Sequence, residues 1–222
     1  MAFKQPGSLF AFKFASSVFA GLMLVLAAAL PVRAETFRIV GLGDSLMAGY
    51  QLGPGEGFPE RLEAALRQRG HDVSVVNAGV SGDTSSGGLS RLDWSVPDET
   101  DLVIVELGAN DMLRGIAPES TEQNLDAIIS GLKERGIGVV LAGMLAAPNL
   151  GEAYRQAFDG IYPRLAERHD VPLIPFFLDG VAANRGLLLE DGMHPNPEGV
   201  EIMVERILPV LEPLVAGEKQ GA

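Results

Sequence analysis

The chain has 222 residues, 47% of them hydrophobic, and its 17 Lys and Arg face 29 Asp and Glu for a net charge of −12. That length suits one domain with a sizeable core, and so acidic a surface repels phosphate backbones and anionic lipid head groups, which argues against a nucleic-acid role. There is no cysteine, so disulfides, metal–thiolate sites, a Cys nucleophile and a lipid-bearing N-terminal Cys are excluded, and any chemistry must use oxygen and nitrogen groups.

At the N-terminus, Lys4 and Lys13 are followed by thirteen apolar residues from Val18 to Leu30 and then Pro31-Val32-Arg33-Ala34. The run falls short of the roughly 20 residues a spanning helix needs, and the ending has the small-x-small form that signal peptidase reads. Residues 1–34 are therefore expected to be a signal peptide cleaved after Ala34, leaving a periplasmic or secreted domain, 35–222, with no stable membrane anchor. An uncleaved N-terminal anchor is the alternative. Beyond Ala34, fourteen basic residues face all 29 acidic ones.

The rest of the chain shows no internal repeat and no linker long enough to divide it. Apolar runs of strand length are predicted at Phe37–Leu42, Val73–Val76, Leu102–Leu107, Val139–Ala142 and Leu173–Phe177. Between them lie segments of helical period. Phe58, Leu62, Ala65 and Leu66 share one face, as do Leu125, Ile128, Ile129 and Leu132, and Gly70 and Gly136 mark where these helices end. Tyr154, Ala157, Phe158, Ile161 and Leu165 continue the pattern, with Pro163 expected to kink or restart the helix. Val200, Met203, Val204, Ile207 and Leu211 give a last helix. Continuously apolar strands separated by helices imply a parallel sheet covered on both faces, a three-layer α/β/α sandwich. Ligands in such folds collect beyond the carboxyl ends of the strands.

Small and polar residues stand directly after the first three strands. Gly43-Asp44-Ser45-Leu46 comes after the first, Asn77-Ala78-Gly79 after the second and Gly108-Ala109-Asn110-Asp111 after the third. Of three histidines, His71 and His169 stand where a helix returns to a strand, at the opposite edge, and are expected to be solvated turn residues. His194, in Asp191-Gly192-Met193-His194-Pro195-Asn196, is free to reach the carboxyl edge, and imidazole is the usual base for a serine hydroxyl. Asp191, three residues earlier, either holds that imidazole or caps a turn. Gly79 and Asn110 are either turn formers or, with the Ser45 N–H, donors aimed at a developing oxyanion.

Taken in order, GDSL (43–46), the glycine of NAGVSGDTS (77–85), GAND (108–111) and DGMHPN (191–196) resemble the GDSL or SGNH hydrolase family, in its exported thioesterase I/lysophospholipase L1 and arylesterase branch. The resemblance spans nearly all of the chain beyond Ala34. It implies a five-stranded parallel flavodoxin-like sheet, Ser45 as nucleophile, His194 and Asp191 completing a triad, and Ser45, Gly79 and Asn110 as the oxyanion hole. It also implies no metal and no organic cofactor. Ala109 departs from the branch, which often has a second glycine there. No G-x-S-x-G surrounds Ser45, so the α/β-hydrolase nucleophile elbow is absent. Asp44 and Asp111 read as residues that hold their loops by hydrogen bonds.

The reaction so implied is hydrolysis of small carboxylic esters, aryl or short-to-medium acyl, with lysophospholipids and acyl thioesters as further substrates. Met144, Leu145 and Pro148, in an apolar segment after the fourth strand too proline-rich for a helix, are expected to border the acyl pocket. Three other readings stand beside this one. A carbohydrate O-acetyl esterase of the same family would share every catalytic residue, and a flavodoxin-like binding protein would share only the fold. A metal phosphoesterase would draw on the twelve aspartates, which are scattered and lack a His cluster.

Overall fold

The computed structural model of the chain describes Met1, Ala2 and residues 36–217. The chain divides into Met1–Ala34 and Glu35–Ala222, and the signal-peptide reading rests on residues outside the described ones. No helix among the described residues is long and apolar enough to cross a membrane.

The larger part runs β1 (Phe37–Gly43), α1 (Ser45–Ala48), α2 (Phe58–Gln68), β2 (Val73–Gly79), α3 (Ser85–Ser90), α4 (Leu92–Ser95), β3 (Leu102–Glu106), α5 (Ala109–Leu113) and α6 (Pro118–Glu134). It continues through β4 (Gly138–Ala142), α7 (Glu152–Asp159), α8 (Ile161–His169), β5 (Leu173–Ile174) and α9 (Pro197–Gly217). The five strands form one parallel sheet in the order β2-β1-β3-β4-β5. That is the flavodoxin-like arrangement, whose strand order reverses direction beside β1. Gly43 at the end of β1 is level with Gly79 of β2 on one side and Glu106 of β3 on the other. The loops leaving these three strands therefore meet at the switch point.

β3 is buried along its whole length, and Val139–Ala142 of β4 likewise; such strands must be covered on both faces. α2 packs with α9, while α6 packs with α3 and α8. Phe58, Leu62 and Leu66 of α2, and Leu125, Ile128, Ile129 and Leu132 of α6, are fully buried, the two apolar faces that helical spacing predicts.

Three boundaries differ from expectation by more than one residue. β2 runs to Gly79, three residues past Val76, because the small polar Asn77-Ala78-Gly79 still pairs with β1. β5 stops at Ile174, since Pro175 has no N–H to give a ladder. Beyond it Phe177 turns inward, its ring edge-on to Phe58 at 4.9 Å, and its N–H donates to the Gly143 carbonyl. The helix expected through Pro163 breaks instead at Gly160, and Pro163 sits in the first turn of α8, where a missing N–H costs nothing.

Candidate active site

Ser45 is the first residue of α1, a single turn capped by Asp44, whose Oδ1 accepts the Leu46 N–H at 3.0 Å. Beneath this turn the strand has no room for a side chain. A Cβ on Gly43 would lie 2.6 Å from both the Met47 Cβ and Glu106 Oε2. The other Asp44 oxygen accepts from Asn110 Nδ2 at 2.9 Å, so one buried carboxylate joins the loops after β1 and β3. Burial pushes the Asp44 carboxyl up to about 6, against the pull of the Leu46 N–H and the Asn110 amide. Asp111 is also fully buried and accepts from the Ser85 N–H at 2.8 Å, the Ser85 hydroxyl and the Thr121 hydroxyl. It ties α5 to α3 and α6. Both aspartates hold loops, as their positions suggest.

The loop from Leu188 to Asn196 brings in the imidazole. Leu188 bridges Pro195, the Leu189 N–H donates to the His194 carbonyl at 2.8 Å, and Asn196 Oδ1 accepts the Gly199 N–H at the start of α9. Within this frame Asp191 Oδ1 accepts the backbone N–H groups of Met193 and His194 at 2.9 and 3.1 Å. These two bonds, and then the His194 ring, hold the Asp191 carboxyl at about 2. Asp191 Oδ2 lies 2.7 Å from His194 Nδ1 and His194 Nε2 lies 2.8 Å from Ser45 Oγ. An ionised carboxylate only accepts, so Nδ1 carries the hydrogen and Nε2 is left to accept from the serine hydroxyl.

The residue that packs against the imidazole carries no signal in the sequence. Tyr50 packs its ring 4.5 Å from that of His194, tilted by 39°. It closes the same GDSLMAGY stretch that carries Ser45, and Gly49, in the left-handed region at φ 74°, turns the chain to deliver it.

Gly79 does not occupy the position expected of it. Its N–H donates to Asn77 Oδ1 at 3.0 Å, and a Cβ there would press on the Ala48 backbone, 2.7 Å from its Cα. Because β2 continues to Gly79, the loop at the sheet edge begins only afterwards. Gly82, at φ 86°, lines the cavity beside Ser45 and Asn110, and its N–H has no hydrogen-bond partner among the described residues. NAGVSGDTS holds both glycines, and only the true end of β2 tells them apart. The other histidines do stand at the opposite edge, yet they are paired and not solvated. His71 Nε2 lies 3.1 Å from Glu212 Oε1 and His169 Nε2 2.8 Å from Asp126 Oδ1.

The cavity at this site has a volume of about 810 Å³. Ser45, Tyr50, Asn110 and His194 line its polar end, and Leu113, Met144, Leu145, Ala147, Pro148, Phe176, Leu178 and Leu188 make the rest largely apolar. Met144, Leu145 and Pro148 are thus on its wall, and a 3₁₀ turn forms at Pro148–Leu150 where no helical structure is expected. Leu113, at the end of α5, and Phe176, Leu178 and Leu188, from loops, stand in stretches that carry no signal of their own. Among the described residues no group of His, Asp or Glu side chains could hold a metal ion.

Residues 42–202 match the model of the GDSL-like lipase/acylhydrolase family. The chain belongs to this family. It is 44% identical over 162 residues to an arylesterase of Vibrio mimicus, covering 72% of this chain and 81% of that one. Thioesterase 1/protease 1/lysophospholipase L1 of Escherichia coli is 39% identical over 195 residues, 87% of this chain and 91% of its own. The crystal structure of the SGNH-hydrolase family esterase AlinE4 superposes with a TM-score of 0.69 at 47% identity, over 82% of this chain and 97% of that one. This GDSL-family member is accordingly an enzyme, an ester hydrolase with the SGNH fold.

Proposed function

We propose that the protein is an exported serine esterase that cleaves aryl and short-to-medium acyl esters through Ser45, His194 and Asp191. The observation that carries this is the unbroken chain Asp191–His194–Ser45, with links of 2.7 and 2.8 Å, opening on a mostly apolar cavity. His194 Nε2 takes the hydroxyl proton as Ser45 Oγ bonds to the ester carbon and the carbonyl electron pair moves onto oxygen. Asp191, ionised, holds the imidazolium that forms. Collapse of the intermediate breaks the bond to the alcohol or thiol, which leaves with the proton from His194. Water then repeats both steps on the acyl-enzyme and releases the acid.

Three donors suit the oxyanion: the Ser45 N–H, the Gly82 N–H in place of Gly79, and the Asn110 amide hydrogen that Asp44 does not hold. Such preorganised donors supply much of the rate in acyl transfer. The apolar wall favours acyl chains over sugar rings, so the O-acetyl carbohydrate reading has less to support it. Lysophospholipids and acyl thioesters are further candidates, in line with the name of the Escherichia coli relative.

A fluorophosphonate probe should label the wild-type protein at Ser45 and leave Ser45→Ala unlabelled; label retained by the variant would put the nucleophile elsewhere. A p-nitrophenyl acyl-chain series beside phenyl acetate, lysophospholipid and an acyl-CoA then ranks the substrates. Export predicts that protein recovered from the periplasm begins at Glu35, and an intact Met1 on a membrane-bound product would overturn it.

A further inference from the structure

Arg91 joins α3 to α4 and is 5% exposed. A buried guanidinium must spend its donors on fixed partners or it destabilises the fold, so its partners are informative. Nε donates to Asp83 Oδ2 at 2.6 Å, Nη1 to the Ala78 carbonyl at 2.7 Å and to the Ser95 hydroxyl at 3.1 Å, and Nη2 to the Gly43 carbonyl at 2.9 Å.

Three of these four partners flank the reacting groups. Gly43 is two residues before Ser45. Ala78 is the penultimate residue of β2, where the chain leaves the sheet toward Gly82, and Asp83 directly follows Gly82. One rigid plane therefore connects the loop that carries the serine with the loop that carries a free backbone N–H. Arg114 holds the second loop from its other side, with Nη2 donating to the Gly82 carbonyl at 2.6 Å. If Arg91 served only to fill space, an apolar side chain would cost less than a desolvated cation.

We propose that Arg91 is a positioning residue that sets the separation between Ser45 and the Gly82 N–H, and through it the stabilisation of the oxyanion. The inference rests on the reading of Ser45 as nucleophile and Gly82 as donor. It makes Asp83 a partner in the same task, since its carboxylate is the charged group that fixes the guanidinium's orientation. Lysine cannot replace this arginine, because a point charge on a flexible stem does not reproduce a planar fork.

The test uses Arg91→Lys and, in case that variant does not fold, Asp83→Asn, which keeps the side chain's shape and an acceptor. Folding is checked by circular dichroism and thermal melting. On the folded protein, kcat and KM are measured for a p-nitrophenyl ester, and separately the second-order rate at which fluorophosphonate modifies Ser45. Misplacement by an ångström can cost on the order of 10²-fold, so kcat and the modification rate of Arg91→Lys should fall together by about that factor with KM little changed. Asp83→Asn should lose both in the same direction and by less. A lowered melting temperature with kcat and modification rate unchanged would reduce Arg91 to a fold clamp and overturn the proposal. Wild-type protein that does not react at Ser45 would instead overturn the nucleophile reading, and the proposal with it.

Discussion

Asp44 stands 1% exposed between two tasks. Both of its oxygens accept, one from the Leu46 N–H and the other from the Asn110 amide, and only a carboxylate offers two acceptors in that geometry. Ionisation there is costly. Burial raises its pKa from 3.8 to about 6, and the neighbouring Glu106, whose Oε2 accepts the Asp44 N–H, is pushed well above its usual range by burial and then by the Asp44 charge. Linkage sets the sign. Between about pH 4 and 6 the folded protein keeps on Asp44 a proton the unfolded chain has lost, so the contribution of Asp44 alone lowers stability as pH rises through that window, by on the order of 3 kcal/mol. Asp44→Asn should flatten that decline, measured by urea unfolding from pH 4 to 8, while turnover drops because one amide cannot accept from both partners. Parallel stability curves for variant and parent would remove Asp44 as the source. Asn110→Ala should keep the fold and lose about 10²–10³ in kcat, the usual cost of one side-chain oxyanion donor; turnover within a few-fold of the parent would take Asn110 out of the mechanism.

At the level of elements, the site depends on how closely α1 lies on the sheet. Met47 of α1 is fully buried against β1, and Gly79 gives the Ala48 backbone room to pass over β2. Backbone cannot yield as a side-chain tip does, so Gly79→Ala should tilt α1, lower both melting temperature and kcat, and leave KM nearly unchanged. A variant that keeps both its melting temperature and its kcat would show that α1 does not depend on this close approach. The same contact explains where the sequence was readable and where it was not. β3 and β4 show as plain apolar runs because both their faces are covered. The end of β2 does not, because beside a helix turn pressed on the sheet the strand must be small and polar, which in sequence looks like a loop. The Asp191–His194 pair was readable for the opposite reason: DGMHPN packs the carboxylate, the imidazole and the cap of α9 into six residues, so its geometry is local. Gly82 and Arg91 were not, since their roles exist only once three chain segments meet.

Over the whole molecule, charge and cavity act on different parts of a substrate. The cavity wall is assembled from the segments after all five strands, so its width is a tertiary property and the acyl preference cannot be read along the chain. Charge can be read. With 29 acidic and 17 basic residues, the protein presents a net negative field to any anionic substrate, and that field reaches about 30 Å at 0.01 M salt but only about 8 Å at 0.15 M. Acyl-CoA carries several phosphate charges and a p-nitrophenyl ester carries none. If the active site accepts both acyl groups, raising ionic strength between those limits should lower KM for octanoyl-CoA, by roughly tenfold at most, and leave KM for p-nitrophenyl octanoate unchanged. The matched acyl chain cancels any effect of salt on the apolar wall, so the difference between the two substrates isolates the field. A KM for octanoyl-CoA that is flat, or that rises with salt, would mean that Arg155 on the cavity wall and Arg114 beside Gly82 outweigh the surrounding acids, and that the site draws anionic leaving groups in despite the charge of the whole.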